Sequence, residues 1–146
     1  MESLEVSAKR TILLVEDHPP EREAIKRILV EGNFHVETAL DYLGAVSVLS
    51  KSIPHLVCLD LTLPRESGFE LCEYIRSQTR LCFVPVLVIS DRSSPEDMAH
   101  AENVGANAFL KKPFNREKLL KYVFTLLDGP YASRPSVRRL RRTEPP

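Results

Sequence analysis

The feature that most limits how this chain can fold is a set of short strand-like runs that mostly do not alternate with polar residues. Thr11–Val15 (TILLV), Leu56–Leu59 (LVCL) and Val84–Ile89 (VPVLVI) are continuous apolar stretches, joined by shorter candidates at His35–Ala39 and Ala108–Leu110. A strand with no polar face must be covered on both sides, which is the signature of a parallel sheet clothed by helices. The intervening segments supply those helices. EREAIKRILVEG sets Ile25, Ile28 and Leu29 at helical spacing and closes at Gly32. Asp41 is placed to cap a helix through about Leu49, with Leu43, Val46 and Leu49 as its apolar stripe. Ser67 to about Ser77 is a third helix, apolar at Phe69, Leu71, Cys72 and Ile75. Ser93 or Ser94 caps a fourth, opened by Pro95 and ended near Gly105, and Asn115 caps a last one through about Leu127. VPVLVI is the most apolar run and is expected at the sheet centre, with Pro85 near its start. Five β-α repeats with right-handed crossovers give an α/β, five-stranded, doubly wound parallel sheet.

Composition narrows the class of function. The 146 residues suit one domain, and 43% hydrophobic with 27% charged residues is ordinary for a globular protein. Twenty basic and twenty acidic residues cancel, so overall charge gives no case for nucleic acid or a membrane surface. Cys58, Cys72 and Cys82 have no metal or redox spacing, and Cys58 and Cys72 are expected as small hydrophobes of a cytoplasmic protein. No apolar leader opens the chain, and no segment approaches the ~20 apolar residues of a membrane span. Residues 1–9 are an extension, 10–129 the folded domain, and 130–146 a Pro- and Arg-rich tail or linker with five arginines between Arg134 and Arg142.

In a sheet of this kind all strands present their C-terminal ends at one edge, where ligands bind. Those ends carry Glu16 and Asp17, Asp60, Ser90 and Lys112. Close carboxylates repel and call for a cation among them. Oxygen ligands without His or Cys suit a hard divalent ion, Mg²⁺ best. A carboxylate beside such an ion, with an ammonium and a hydroxyl, has the groups needed to accept a phosphoryl group. Singly, each residue reads as a cap, a turn residue or a solvated charge; jointly they do not.

The ordered set ILLVEDHP, LVCLDLTLPRESGFEL, VPVLVIS and GANAFLKKPF, spanning about residues 10 to 129, resembles the CheY-like receiver domains of response regulators in two-component signalling. The resemblance implies the flavodoxin-like (βα)5 fold and specific roles. Asp60 is the implied phospho-acceptor, taking its phosphoryl group from a sensor histidine kinase or a histidine phosphotransfer protein. Asp17 is implied to bind Mg²⁺ directly and Glu16 through water, with Asp60 and the backbone carbonyl of Thr62 completing the ligands. Lys112 is the implied partner of Asp60 and of the phosphoryl group, Ser90 the switch hydroxyl, and Phe109 the switch aromatic. The Lys112–Pro113 peptide is expected to be cis. No enzymatic activity beyond self-catalysed phosphoryl transfer and autodephosphorylation is implied.

Two departures qualify the resemblance. Asp91 stands where the family most often has a small residue, so a carboxylate at the pocket entrance should repel an anionic donor, unless it faces solvent as a turn residue; Arg92 is available to offset it. Phe109 lacks the hydroxyl of the commoner tyrosine. The competing function is a pseudo-receiver, a docking module independent of phosphorylation. A flavodoxin-like cofactor binder is disfavoured because EDHPPE is acidic where a phosphate-cradling loop would lie. Output is expected through the face of the Pro95 helix, the fifth strand and the last helix, toward a downstream partner or a second copy, because the last helix is apolar on more than one side (Leu119, Leu120, Val123, Phe124, Leu126, Leu127).

Overall fold

The computed structural model describes residues 8–129. Strands and helices alternate as β1 Thr11–Val15, α1 Pro19–Glu31, β2 His35–Ala39, α2 Tyr42–Leu49, β3 Leu56–Leu59, α3 Gly68–Ser77, β4 Val86–Ser90, α4 Pro95–Asn103, β5 Ala108–Lys111 and α5 Arg116–Asp128. All pairings are parallel, in the order β2-β1-β3-β4-β5. This is the doubly wound, flavodoxin-like (βα)5 sheet. Residues 1–7 of the N-terminal extension and the basic tail from Pro130 lie outside the described residues.

Side chains alternate between the two faces, and each face has its own core. Leu13, Val15, Val57, Leu59, Val86 and Val88 pack under α2, α3 and α4. Ile12, Leu14, Leu56, Cys58, Leu87 and Ile89 pack under α1 and α5. Fully burying each Leu, Ile or Val stabilises by about 1.5–3 kcal/mol relative to exposure, so these interior strands dominate the fold. Cys58 belongs to this core, where burial pushes its thiol up to about 12 and leaves it unreactive at neutral pH. All three cysteines are buried thiols.

The caps fall where the sequence places them. Asp41 Oδ1 accepts from the Gly44 N–H at 2.8 Å, Ser94 Oγ from Asp97 at 3.0 Å, and Asn115 Oδ1 from Lys118 at 2.7 Å. Four expectations change. The central strand is β3, with β4 beside it; β1, β3 and β4 are all interior and all apolar, so apolarity separates interior from edge without marking the centre. β4 begins at Val86, and Pro85 precedes it, its carbonyl accepting from Val57 N–H at 3.0 Å. In α2 the buried residues are Ala45 and Leu49, while Leu43 is 65% exposed. Gly32 keeps φ −80°, and Asn33, at φ 75°, takes the left-handed position after α1. A Cβ at Gly32 would lie 2.9 Å from Leu120 Cδ2, the end of a flexible side chain that can shift.

Candidate functional site

β3 ends at Leu59, and the next residue, Asp60, is still only 6% exposed. Its backbone continues the ladder, N–H to the Val15 carbonyl at 3.1 Å, which fixes the carboxyl at the sheet edge beside the end of β1. The chain then turns through Leu61 to Gly68, where α3 starts. Gly68 N–H bonds the Leu61 carbonyl at 2.9 Å, and a Cβ on Gly68 would sit 2.2 Å from the Asp60 carbonyl oxygen. Only glycine permits that approach, so the Gly of ESGFE is part of what positions Asp60.

Lys112 follows β5, with its N–H on the Ser90 carbonyl at 3.0 Å and a cis peptide to Pro113. Its side chain reaches three carboxylates: Asp60 Oδ2 at 2.9 Å, Glu16 Oε1 at 3.1 Å and Glu21 Oε1 at 2.5 Å. Asp60 Oδ1 accepts from the Thr62 N–H at 3.1 Å. Both oxygens of Asp60 are thus held by protein donors.

The electrostatics follow from burial and this geometry. Glu16 is 2% exposed, and desolvation, then the nearby Asp60 charge, push its carboxyl up to about 7; the Lys112 ammonium opposes the shift. Burial pushes the Lys112 ammonium down, but its hydrogen bonds to Glu21 and Asp60 and the Asp60 charge outweigh that and hold it well above the ordinary lysine value. Three carboxylates and one ammonium leave the cluster negative. Ligand oxygens of Glu16, Glu21 and Asp60 all lie within 4.8 Å of one another. A donor set of carboxylate oxygens alone, with excess negative charge, fits a hard divalent cation such as Mg²⁺.

Glu16, Asp60 and Lys112 therefore meet as the sequence suggests. Asp17 is exposed and outside the Lys112 network, and Thr62 is exposed too. Ser90 is fully buried at the end of β4, its Oγ accepting from the Arg92 N–H at 3.0 Å. Phe109 lies opposite Val88 in the β4–β5 register and packs, half-buried, on the core under α2–α4. Asp91 is exposed and lines a cavity of about 440 Å³ together with Glu21, Ile25, Ile28, Lys112 and Phe114. The turn before α4 is capped by Ser94 and Asp97, not by Asp91. Arg92 Nε pairs with Asp97 at 2.9 Å, and its guanidinium lies 5.1 Å from the Phe69 ring centroid. His100 of α4 stacks on the same ring, centroids 3.9 Å apart.

Glu21 is not among the residues that the sequence singles out. It sits in the first turn of α1, where an acidic residue ordinarily reads as complementing the helix dipole. One signal was available: a helix that begins straight after a strand end keeps its first turn over that edge, so an acid there adds to the acids before it.

The chain matches the response regulator receiver domain over residues 12–124 and belongs to that family. It is 32% identical over 111 residues to the phosphate regulon transcriptional regulatory protein PhoB of Escherichia coli K12, covering 76% of this chain and 48% of that protein. It thus spans about half the length of the curated relatives it matches. Among solved structures, the chemotaxis response regulator CheY4 of Vibrio cholerae superposes with a TM-score of 0.78 at 32% identity, over 82% of this chain and all of that one. The receiver domain of the sensor histidine kinase PA1611 from Pseudomonas aeruginosa, solved with a magnesium ion in its active-site cleft, gives 0.77 at 27% identity over 82% and 98% of the chains. Receiver domains are signalling switches of two-component systems. Among the described residues, no helix is long and apolar enough to cross a membrane.

Proposed function

We propose that this chain is a phosphorylatable switch in which Asp60 accepts a phosphoryl group from a phosphohistidine on a kinase or phosphotransfer partner, with Mg²⁺ bound. The observation that carries the reading is the environment of Asp60: a nearly buried carboxylate fixed between Lys112 Nζ and the Thr62 N–H, beside Glu16. A carboxylate oxygen of Asp60 forms a bond to phosphorus as the P–N bond to the donor imidazole breaks. Lys112 turns its Asp60-directed N–H toward a phosphoryl oxygen. Bound Mg²⁺ supplies charge neutralisation; Glu16, Asp17 and Asp60, with the Thr62 carbonyl, are the residues that would hold it.

Ser90 and Phe109 then carry the change. Ser90 Oγ accepts from the Arg92 N–H, so a move of the hydroxyl toward the phosphoryl group would pull on the β4–α4 loop. The α4-β5-α5 face is the proposed output surface, although not for the reason the sequence suggested. Of the surplus apolar residues of α5, Phe124 packs on Phe34, ring centroids 5.3 Å apart, yet stays 39% exposed, and Leu120 meets the end of α1 at Gly32. Output rests instead on the Ser90 and Phe109 connections, toward a protein partner or a second copy.

Incubation with acetyl phosphate and Mg²⁺, followed by intact mass, tests the acceptor. A phosphoryl adduct is expected on the wild type and not on Asp60→Asn; an adduct at wild-type level in that variant overturns the assignment, and a wild type that never labels favours the docking-module alternative. Amide shifts with beryllofluoride, a phosphoryl mimic, should spread from Asp60 into residues 95–127.

A further inference from the structure

We propose that Glu21 is a positioning residue for Lys112, and that it biases the site toward a divalent cation and against the phosphoryl group. The inference rests on the reading of Asp60 as phospho-acceptor. An ammonium has three N–H donors, and in this structure all three are committed, to Glu16, Asp60 and Glu21. The contact with Glu21 is the shortest. Two of these partners acquire other work when the site is loaded, because Asp60 joins the phosphoryl group and Glu16 lies among the cation ligands. Glu21 pulls from a different element, the first turn of α1, while the other two lie at strand ends.

Glu21 also adds charge. Its ligand oxygen lies within 4.8 Å of those of Glu16 and Asp60, so the region into which an anionic donor must enter carries a third carboxylate besides the acceptor and its neighbour. The side chain is 43% exposed, so screening limits the effect without removing it. A unit charge a few ångströms away at a partly solvated site corresponds to roughly 3–10-fold in a binding constant. The sign differs by ligand: the charge strengthens cation binding and weakens anion binding. Glu21 and Lys112 also line, with Asp91, the cavity that Ile25, Ile28 and Phe114 border, so the pair meets whatever enters there.

A merely structural Glu21 would support the first turn of α1 through the helix dipole, and its loss would change stability without separating the two ligands. The experiment uses the full chain as wild type, Glu21→Gln and Asp60→Asn. Mn²⁺ binding is measured alone by calorimetry, as the probe for the cation. Beryllofluoride binding is measured by amide shifts at saturating Mg²⁺. Glu21→Gln is expected to weaken Mn²⁺ by roughly 3–10-fold and to tighten beryllofluoride by a similar factor. Unchanged affinities, or two changes in the same direction, overturn the positioning role. If instead the wild type does not bind beryllofluoride, or Asp60→Asn binds it equally well, the reading of Asp60 fails and the role of Glu21 falls with it.

Discussion

The two flanks of Asp60 are built on different physics. Toward α1 and β5 the flank is ionic: Glu16, Glu21 and Asp60 surround one ammonium, and the balance is negative. Toward β4 and α4 it is neutral and packed. There Ser90 is bound to the Arg92 backbone, and the Phe69 ring meets both the Arg92 guanidinium and the His100 ring. The first flank answers to charge, so a ligand that brings charge acts on it directly. The second answers to position, because stacking and burial weaken when a loop moves. Under the proposed phosphorylation, the first flank would recognise the phosphoryl group and the second would convert its arrival into displacement.

The largest expected effect breaks the ionic flank. Lys112→Ala leaves three carboxylates around an uncompensated gap, two of them almost fully buried, and should cost about 3 kcal/mol of stability. Denaturant unfolding with and without Mg²⁺ checks it, since the cation should restore part of the loss by binding only the folded state. Next comes the backbone that holds Asp60 in place. Gly68→Ala forces a methyl against the Asp60 carbonyl and the Leu59 side chain, and a shift of β3 relative to α3 should cost about 2 kcal/mol by the same measurement.

Removing charge in place of balance has the opposite sign. Asp60→Asn relieves the repulsion that helps raise Glu16, and the apo protein should gain about 1 kcal/mol in stability while its melting temperature responds less to Mg²⁺. A destabilised Asp60→Asn would show that the Lys112 contact outweighs the repulsion. The smallest effect sharpens the boundary between the flanks. Asp91 is exposed at the cavity rim beside Lys112, so Asp91→Ala should speed labelling by acetyl phosphate only a few-fold, more at low salt. Asp91→Asn, which keeps the size, should match it; no acceleration in either variant would make Asp91 an ordinary solvent-facing residue.

Much of this was legible in the amino-acid order. Apolar runs without alternation specify strands covered on both faces, and the parallel sheet follows from that, because backbone and burial requirements are local and periodic. Asp41, Ser94 and Asn115 announce their caps for the same reason. Asp60 was legible too: a carboxylate closing an apolar run is conspicuous, and the sheet geometry sends it to the shared edge with Glu16 and Lys112. Only the tertiary structure decided matters of distance between elements. β3 and not β4 is central, since strand order depends on crossovers that apolarity does not encode. Leu43 faces solvent because the turn of α2 is set by how Ala45 and Leu49 seat on the sheet. Arg92 chose Asp97 and Phe69, a choice of rotamer among several partners within reach. Glu21 completes the Lys112 cluster because α1 starts immediately over the sheet edge, and a side chain's partners across 91 residues are fixed by packing, where sequence spacing is silent.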